Sequence, residues 1–298
     1  MTETTSDTFG TMRSVIQAIR RQFHPLHRAR RSPFGRFILR VADRPAWISV
    51  PQVAFRVRGR RLTHGLAYRF GSQERNPEAL ALACLLQFSI RSFWDVGANF
   101  GYYSWLLKST APDLRVILFE PLPENARFIR ETMLRNRFSD VHLIEAGASN
   151  CSGEGALQAD SVGGSTSSLN KEQTFEQRHY GVAPIVIPVK LISIDSIREK
   201  ENPVEFMKID VEGHEAASLQ GATETIARDQ PILFIECSHP EHQCLRVLEA
   251  NGYRIVDADN LTVDCSETSS NFFCFPQQYH QSIQGLLHSI MRERSDSK

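Results

Sequence analysis

Acidic and glycine residues that could hold a small ligand are concentrated in the segment DVGANFGYYS, at residues 95–104. An apolar run that predicts a buried strand precedes this segment, and a predicted helix begins within it. A glycine-rich turn in this context lets backbone N–H groups approach a ligand. Asp95 places a carboxylate at the strand end, where it would repel a pyrophosphate and attract a cationic amino group. The turn therefore favours the amino-acid part of a ligand such as S-adenosylmethionine.

A second carboxylate follows at the spacing expected for a ribose. Glu120 lies 19 residues after Gly101, at the end of the next predicted strand. An acidic residue about 20 residues after such a turn can accept hydrogen bonds from both ribose hydroxyls. A dinucleotide site would favour glycine at the position of Asn99, and a third glycine is absent at the required spacing. The two signals predict a nucleoside-bearing cofactor and disfavour a nicotinamide oxidoreductase, which stays an alternative.

Further titratable residues end the predicted fourth and fifth strands. Because ligands bind outside the carboxyl ends of parallel strands, Asp210 and His214 are expected at the mouth of the site. An alcohol that accepts a methyl group must lose a proton, and either residue could take it. Glu236 and His239, after the next strand, are further candidates for this base. The alternative for His214 is a purely structural turn that begins the following helix.

A metal site is a separate possibility that the spacing does not favour. The candidate zinc ligands are Cys237, His239, His242 and Cys244. Cys-x-His and His-x-Cys pairs point in opposite directions on a strand or helix, so zinc is not expected. A hard cation between Asp210 and Glu236 stays open, although no metal ligand is predicted.

Alternating strands and helices must position these residues. Apolar runs predict strands at 91–96, 115–120, 141–146, 204–210, 231–236, 253–256 and 271–275. Helical patterns lie at about 102–109, 124–137, 215–228 and 245–251. The alternation predicts an α/β protein with a mostly parallel sheet covered on both faces. Residues 150–203 interrupt the pattern, and the period-two run at 185–194 predicts an inserted β segment beside a flexible loop.

Several of these segments, in this order, resemble the signatures of FkbM-like methyltransferases. The segments are DVGANFGYYS, FEPLPEN at 119–125, IPVKLISIDSI at 187–197, KIDVEGHE at 208–215, LQGA at 219–222 and PILFIE at 231–236. The resemblance covers about residues 75–275. It implies a class I Rossmann-like methyltransferase fold with a seven-stranded, mostly parallel sheet whose last strand is antiparallel. It also implies S-adenosylmethionine as cofactor and O-methylation of a hydroxyl on a small molecule, sugar or glycan.

The resemblance further implies which residues bind the cofactor. They are Asp95, Gly97, Ala98, Asn99, Gly101, Tyr102, Glu120, Pro121, Ala146 and Asp210. The turn residues would line the methionine end, Glu120 would hold the ribose, and Ala146 would lie near the adenine. Two other functions stay open, an N-methyltransferase and a non-catalytic binding module that docks through its arginine-rich N-terminus.

The formal net charge of zero hides a basic N-terminal segment. Residues 1–61 hold thirteen arginines, no lysine and three acidic residues, which gives a local charge of +10. Apolar residues at helical spacing within this segment predict a short basic amphipathic helix over residues 12–23. Its expected contact is the acidic remainder of the chain, a membrane surface or an acidic partner. No nucleic acid is expected, because no RNA-binding motif or helix-turn-helix accompanies the arginines.

Composition also predicts the domain organisation and the compartment. We expect a basic N-terminal extension at 1–70, a methyltransferase domain at 71–276, and a C-terminal helix and tail at 277–298. The N-terminus is polar and acidic, without the apolar core of a signal peptide. The six cysteines form no C-x-x-C pair and are expected to be free thiols. These features predict a cytoplasmic protein.

Overall fold

The computed structural model describes residues 32–66, 68, 75–159, 167–169, 177, 182–237 and 243–296, and a seven-stranded sheet lies at its centre. Its strands are β3 (Ser92–Val96), β4 (Arg115–Phe119), β5 (Val141–Ile144), β9 (Phe206–Ile209), β10 (Ile232–Glu236), β11 (Arg254–Asp257) and β12 (Asn271–Phe275). Their order across the sheet is β11-β12-β10-β9-β3-β4-β5. β12 is antiparallel to β10 and β11, whereas β3, β4, β5, β9 and β10 pair in parallel. The predicted sheet, with its antiparallel last strand, is confirmed.

Helices cover both faces of this sheet, as predicted. The helices of the described residues, of which α1 lies apart from the sheet clusters, are α1 (Pro33–Ala42), α2 (Arg75–Gln87), α3 (Tyr102–Thr110), α4 (Pro123–Asn136), α5 (Ile194–Arg198), α6 (Glu215–Gln220), α7 (Thr223–Asp229), α8 (Gln243–Ala250) and α9 (Ile283–Asp296). Successive residues of β3 point to opposite faces and join different apolar clusters. Phe93 packs in the cluster with α2, α3, α4 and α9, whereas Trp94 packs in the cluster with α5, α7 and α8. Every residue of β3 is buried, as expected for a central parallel strand. In the part of the chain that is described, no helix is long and apolar enough to cross a membrane.

The segment that interrupts the α/β alternation forms a small second sheet. β6 (Gly147–Ala148), β7 (Gly153–Ala159) and β8 (Ile185–Ile192) lie in the order β6-β8-β7. β7 and β8 pair antiparallel from Gly153 opposite Leu191 to Ala159 opposite Ile185. The β segment expected at 185–194 is therefore confirmed, and it pairs with a strand that the sequence pattern did not reveal.

One predicted helix is wrong in its length. The pattern at 215–228 predicts a single helix, but the structure breaks it into α6 and α7 around Gly221. A Cβ on Gly221 would lie 1.9 Å from the carbonyl oxygen of Ser149, so the chain passes closely over that strand end. Asp195 then accepts hydrogen bonds from the N–H groups of Glu224 and Thr225 and caps the new helix.

Both segments that flank the expected methyltransferase domain pack into the main core. The hairpin of β1 (Pro45–Ile48) and β2 (Val57–Arg60) buries Ile48 and Val57, and a π-helical turn (Arg61–Leu66) follows it. After a 3-10 turn (Gln277–Ser282), α9 buries Leu286 and Leu287 against the same cluster. The domain bounds at residues 70 and 276 stay a prediction. The amphipathic helix predicted at 12–23 lies outside the described residues.

Candidate active site

The glycine-rich turn after β3 crosses the end of β9. Gly97 and Ala98 each donate a backbone N–H to the carbonyl oxygen of Phe119, at 3.0 Å, which ties the turn to β4. A Cβ on Gly97 would lie 1.8 Å from the carbonyl oxygen of Asp210, and the φ of Gly97 is +79°. No other residue fits this combination of close approach and left-handed backbone. Asn99 also has a positive φ, 56°, which asparagine tolerates better than most residues.

Glu120, immediately after β4, offers a buried set of hydrogen-bond acceptors. Its carboxylate accepts the N–H of Asn99 at 2.7 Å and that of Leu122 at 2.8 Å, and the Asn125 amide also donates to it. Burial raises the pKa of Glu120 to about 8, against the opposing effect of these hydrogen bonds. In its ionised form a carboxylate has about four acceptor positions, so the ionised Glu120 keeps one for a ligand hydroxyl.

Asn125 adds a second buried acceptor beside Glu120. The residue lies in the first turn of α4 and is 2% exposed. Its Nδ2 donates to Asn99 Oδ1 at 3.1 Å, whereas its Oδ1 has no hydrogen-bond partner among the described residues. A buried polar atom without a partner is costly, and a bound ligand can satisfy it.

These acceptors face a pocket at the carboxyl ends of the parallel strands. Its lining combines the turn after β3, the end of β4, the strand β6 and the end of β9. The predicted residues that line it are Gly97, Asn99, Glu120, Pro121 and Asp210, and the lining also includes Phe119, Asn125, Gly147, Ala148, Leu157, Ser167, Leu169, Val211 and Glu212. The pocket therefore lies where ligands bind in open α/β sheets.

A buried lysine lies among the carboxylates at the strand ends. Lys208 Nζ donates to Asp210 Oδ2 at 2.8 Å and lies 3.8 Å from Asp95 Oδ1. Burial alone would lower the pKa of Lys208, but the charges of Asp210, Asp95 and Glu236 outweigh burial and raise the pKa above its usual range. When the three carboxyl groups are ionised, one ammonium leaves the cluster negatively charged. This field suits a cationic ligand and opposes a pyrophosphate.

Asp95 itself is held inside the protein rather than at the pocket surface. It is 1% exposed, and Ser104 donates its hydroxyl to Asp95 Oδ2 at 2.7 Å. Burial raises the pKa of Asp95, whereas Lys208 and the Ser104 hydrogen bonds act in the opposite direction. The contribution of Asp95 to a ligand is therefore its charge and its hold on Lys208.

The turn after β9 is built by its own acidic residues. Glu215 Oε1 accepts the N–H groups of Val211 and Gly213, both at 3.1 Å, and so fixes the turn. Glu212 has a φ of 53°, an unfavourable conformation for a residue with a long side chain. His214 precedes α6, and its Nε2 lies 3.1 Å from Ser149 Oγ. His214 thus takes part in the structural turn and does not line the pocket.

The insert supplies one wall of the pocket. The backbone of Ser168 pairs with Gln158 in two hydrogen bonds, of 2.8 and 3.0 Å, and Ser168 Oγ donates to the carbonyl oxygen of Glu212 at 2.5 Å. Leu169 packs with Leu157 in a small apolar cluster beside Gly147. These contacts join the small sheet to the turn after β9 and cover the pocket with apolar side chains.

The remaining predicted site residues lie outside the pocket lining. Asp95, Ala98, Gly101, Tyr102 and Ala146 are buried but do not line it. The Tyr102 hydroxyl, on α3, donates to Glu78 Oε1 on α2 at 2.7 Å, and the Tyr102 ring packs on that of Tyr68. Among the candidate bases, Asp210 lines the pocket and Glu236 ends the neighbouring strand, where Ile235 pairs with Ile209. His239 lies outside the described residues, and the role of each base stays a prediction.

Two parts of the pocket were missed by the sequence reasoning. Asn125 belongs to the segment FEPLPEN, and its place five residues after Glu120 could have indicated a contact across the first turn of α4. Leu157 and Leu169 carry no such signal, because their position depends on how the insert folds.

Of the cysteine- and histidine-rich segment after β10, the structure describes the two cysteines. Cys237 and Cys244 have their sulfur atoms 4.0 Å apart, and all six cysteines are free thiols. His239 and His242 lie outside the described residues. Within the described ranges, no group of three or more His, Cys, Asp or Glu residues could hold a metal ion.

The strand order, with the pocket at the carboxyl edge, is that of the class I Rossmann-like methyltransferase fold. A family model described as the methyltransferase FkbM domain matches residues 95–255. The protein therefore belongs to the FkbM methyltransferase family, which confirms the resemblance of the sequence motifs.

Individual relatives are distant. Methyltransferase sdnD of Sordaria araneosa is 26% identical over 189 residues, which cover 54% of this chain and 73% of that protein. The FkbM methyltransferase structure from Methylobacillus flagellatus is 18% identical, with a TM-score of 0.44 over 65% of this chain and 48% of that chain. This chain thus spans about half the length of the Methylobacillus protein. A putative caffeoyl-CoA O-methyltransferase from Staphylococcus aureus is 11% identical, with a TM-score of 0.39 over 66% and 80% of the two chains.

Proposed function

We propose that this methyltransferase uses S-adenosylmethionine to methylate a hydroxyl group on a small molecule, sugar or glycan. The observation that carries the proposal is a pocket lined by buried acceptors at Glu120 and Asn125 and, through Asp210, by the edge of the negatively charged cluster around Lys208. The acceptors suit a ribose, and the negative field suits a sulfonium and an ammonium group. We also propose a cytoplasmic location, since the free thiols suit a reducing compartment.

The residues present fit the proposed cofactor. Glu120 keeps an acceptor position for a ribose hydroxyl, and the unpartnered Oδ1 of Asn125 lines the same pocket. Asp210 brings negative charge to the pocket, with Asp95 buried behind it. The small residues Gly147 and Ala148 and the apolar side chains of the insert suit a flat adenine ring.

The proposed chemistry divides between the cofactor and the chain. S-adenosylmethionine supplies an activated methyl group, and the protein supplies orientation, exclusion of water and a proton acceptor. The ammonium of Lys208 donates a hydrogen bond to Asp210 Oδ2, which holds that carboxylate in place. Glu236 ends the strand beside Asp210, where Ile235 pairs with Ile209, and we assign to its carboxylate the proton of the acceptor hydroxyl. The wall built by Leu157 and Leu169 limits entry of water.

Cofactor binding is the first part of the proposal to test. Calorimetric titration with S-adenosylmethionine should show micromolar binding by the native chain and its loss in Glu120→Ala. Glu145→Ala is the matched control, because Glu145 is exposed and pairs with Arg130 outside the pocket. Absence of binding by the native chain, or equal binding by Glu120→Ala, would overturn the cofactor assignment.

Methyl transfer is the second part. Radiolabelled methyl transfer from S-adenosylmethionine to a panel of sugars, phenols, hydroxy acids and amines would identify the acceptor class. NMR of the product would show whether a methyl ether or an N-methyl group forms. Glu236→Gln should lower kcat by about two to four orders of magnitude, the range of a lost general base. Exclusive N-methylation, or an unchanged kcat in Glu236→Gln, would contradict the proposed acceptor or the proposed base.

A further inference from the structure

The helix α1 presents a continuous apolar stripe to solvent. Its large apolar side chains recur at the spacing i, i+3, i+4 and i+7, which places them on one helix face. They are Phe34, Phe37, Ile38 and Val41, with exposed fractions of 74%, 61%, 46% and 46%. Single exposed apolar residues are ordinary, but four on one face of one short helix form a surface that indicates an interaction.

The opposite face and the end of α1 are anchored to the protein. Leu39, on the opposite face, is 6% exposed. Asp43, which ends the helix, is 1% exposed and accepts the N–H groups of Leu62 and Thr63 through Oδ1. Arg60 Nη1 donates to the carbonyl oxygen of Asp43 at 2.8 Å. The end of α1 is thus fixed to the hairpin and to the π-helical turn by the hydrogen bonds of Asp43.

The sequence that contains the stripe carries charge of one sign. Residues 8–42 hold eight arginines and no lysine, aspartate or glutamate, and the described part of this segment, 32–42, holds two of them, Arg36 and Arg40. The nearest acid, Asp43, is buried and its carboxylate is taken up by backbone N–H groups and the Thr63 hydroxyl. Arg44 and Arg61 are exposed, and the backbone N–H of Arg61 donates to the carbonyl oxygen of Arg44 at 3.1 Å. A partner of this surface must therefore offer an apolar region to the stripe and, next to it, anionic groups to the arginines.

We infer that α1 is an interfacial helix that docks this methyltransferase on an anionic lipid membrane. Aliphatic and aromatic side chains on one face, with the exposed arginines Arg44 and Arg61 just beyond the end of the helix, match the boundary between acyl chains and acidic headgroups. A single-stranded nucleic acid would use the arginines and the rings but would leave Ile38 and Val41 without a matching partner. The inference is independent of the cofactor and of the acceptor, because α1 contributes no residue to the pocket lining.

Vesicle co-sedimentation of the full chain tests this inference. The vesicles contain phosphatidylcholine with about one third phosphatidylserine, and pure phosphatidylcholine vesicles serve as the comparison. We expect binding to the anionic vesicles that weakens as salt is raised, and much weaker binding to the neutral ones. Phe34→Ser with Phe37→Ser should lower the partition constant by about tenfold for each ring. The control is Leu86→Ser with Val247→Ser, which removes two equally exposed apolar side chains from α2 and α8 and should leave binding unchanged.

Other occupants of the stripe give different results. If residues 1–31 of the same chain cover it, the double phenylalanine variant lowers the melting temperature and the native chain does not bind vesicles. If a second copy covers it, the variant changes the mass found by analytical ultracentrifugation. If an RNA covers it, a homopolymer RNA binds while the vesicles do not. Each of these results, or equal vesicle binding by both double variants, would overturn the inference.

Discussion

Replacement of Lys208 by methionine should destabilise the protein in a manner that depends on pH. Methionine keeps the length of the side chain and removes its charge. The Asp95 carboxylate, 1% exposed, then stays buried without the ammonium that now lies 3.8 Å away. Asp210 loses a hydrogen bond of 2.8 Å but keeps access to water, because its side chain is 26% exposed.

The expected size of the effect follows from these distances. At an effective dielectric constant of about 20, unit charges 3.8 Å apart attract by about 4 kcal/mol. Desolvation of Lys208 in the native protein offsets part of this attraction. Removing one partner of a buried ion pair costs about 3–5 kcal/mol, so we expect a loss of that size at pH 7.

The sign of the pH dependence is also fixed. Burial already raises the pKa of Asp95, and loss of Lys208 raises it further. A carboxyl group whose folded pKa lies above its unfolded value stabilises the fold in its protonated form, and this stability is lost as pH rises. The deficit of Lys208→Met should therefore be smaller at pH 5 than at pH 8.

Urea unfolding followed by tryptophan fluorescence provides the measurement, since Trp94 and Trp105 are fully buried. Lys108→Met is the matched control. Lys108 is also buried and pairs with Asp140, but that carboxylate is 36% exposed and can be rehydrated, so the loss should be smaller and nearly independent of pH. Asp95→Asn added to Lys208→Met should recover stability. A loss below about 1 kcal/mol at pH 7, or no recovery in the double variant, would refute the reasoning.

Three further perturbations test the pocket. Gly97→Ala should destabilise the fold and abolish cofactor binding, because the new Cβ would clash with the carbonyl oxygen of Asp210. Thermal unfolding measures the stability and calorimetry measures the binding. A native-like melting temperature would contradict the prediction. In the native chain the pKa of Glu120 is about 8, whereas in the unfolded chain it is 4.5, so unfolding between these pH values releases a proton. The free energy of unfolding should therefore fall by up to about 1.4 kcal/mol per pH unit between pH 5 and 8. Urea titrations across this range should show a shallower slope in Glu120→Gln; identical slopes would exclude this ionisation. The free energy of unfolding of Glu212→Gly should exceed that of Glu212→Ala by about 1 kcal/mol, since glycine adopts the left-handed backbone without strain. Equal urea midpoints for the two variants would show that the turn is unstrained.

Local patterns sufficed for the central sheet because its strands are mostly apolar. The runs that end at Val96, Phe119, Ile209 and Glu236 have few alternatives to a buried parallel strand, and carboxylates at or next to three of these ends, Glu120, Asp210 and Glu236, mark the carboxyl edge. The pairing of Asp95 with Lys208 across two strands could not be predicted from either segment alone. It depends on a register that places these residues opposite each other.

Contacts between residues that are separated in the sequence explain where the predictions were incomplete. The helix expected over 215–228 is broken by the approach of Gly221 to Ser149, which lies on a different strand end. The wall of the pocket is another such case, since Ser168 is placed by backbone pairing with Gln158. Periodicity within a segment carries no information about either contact.

The two turns that form the floor of the pocket are joined to each other directly, through the contact between Gly97 and the backbone of Asp210. The small sheet meets them separately, through the hydrogen bond from Ser168 to Glu212. We expect that the segment 153–192 can be exchanged between related enzymes while the contact between these two turns is kept. Such chimaeras would receive a different apolar wall in place of Leu157 and Leu169, so the wall of the pocket can vary independently of its floor.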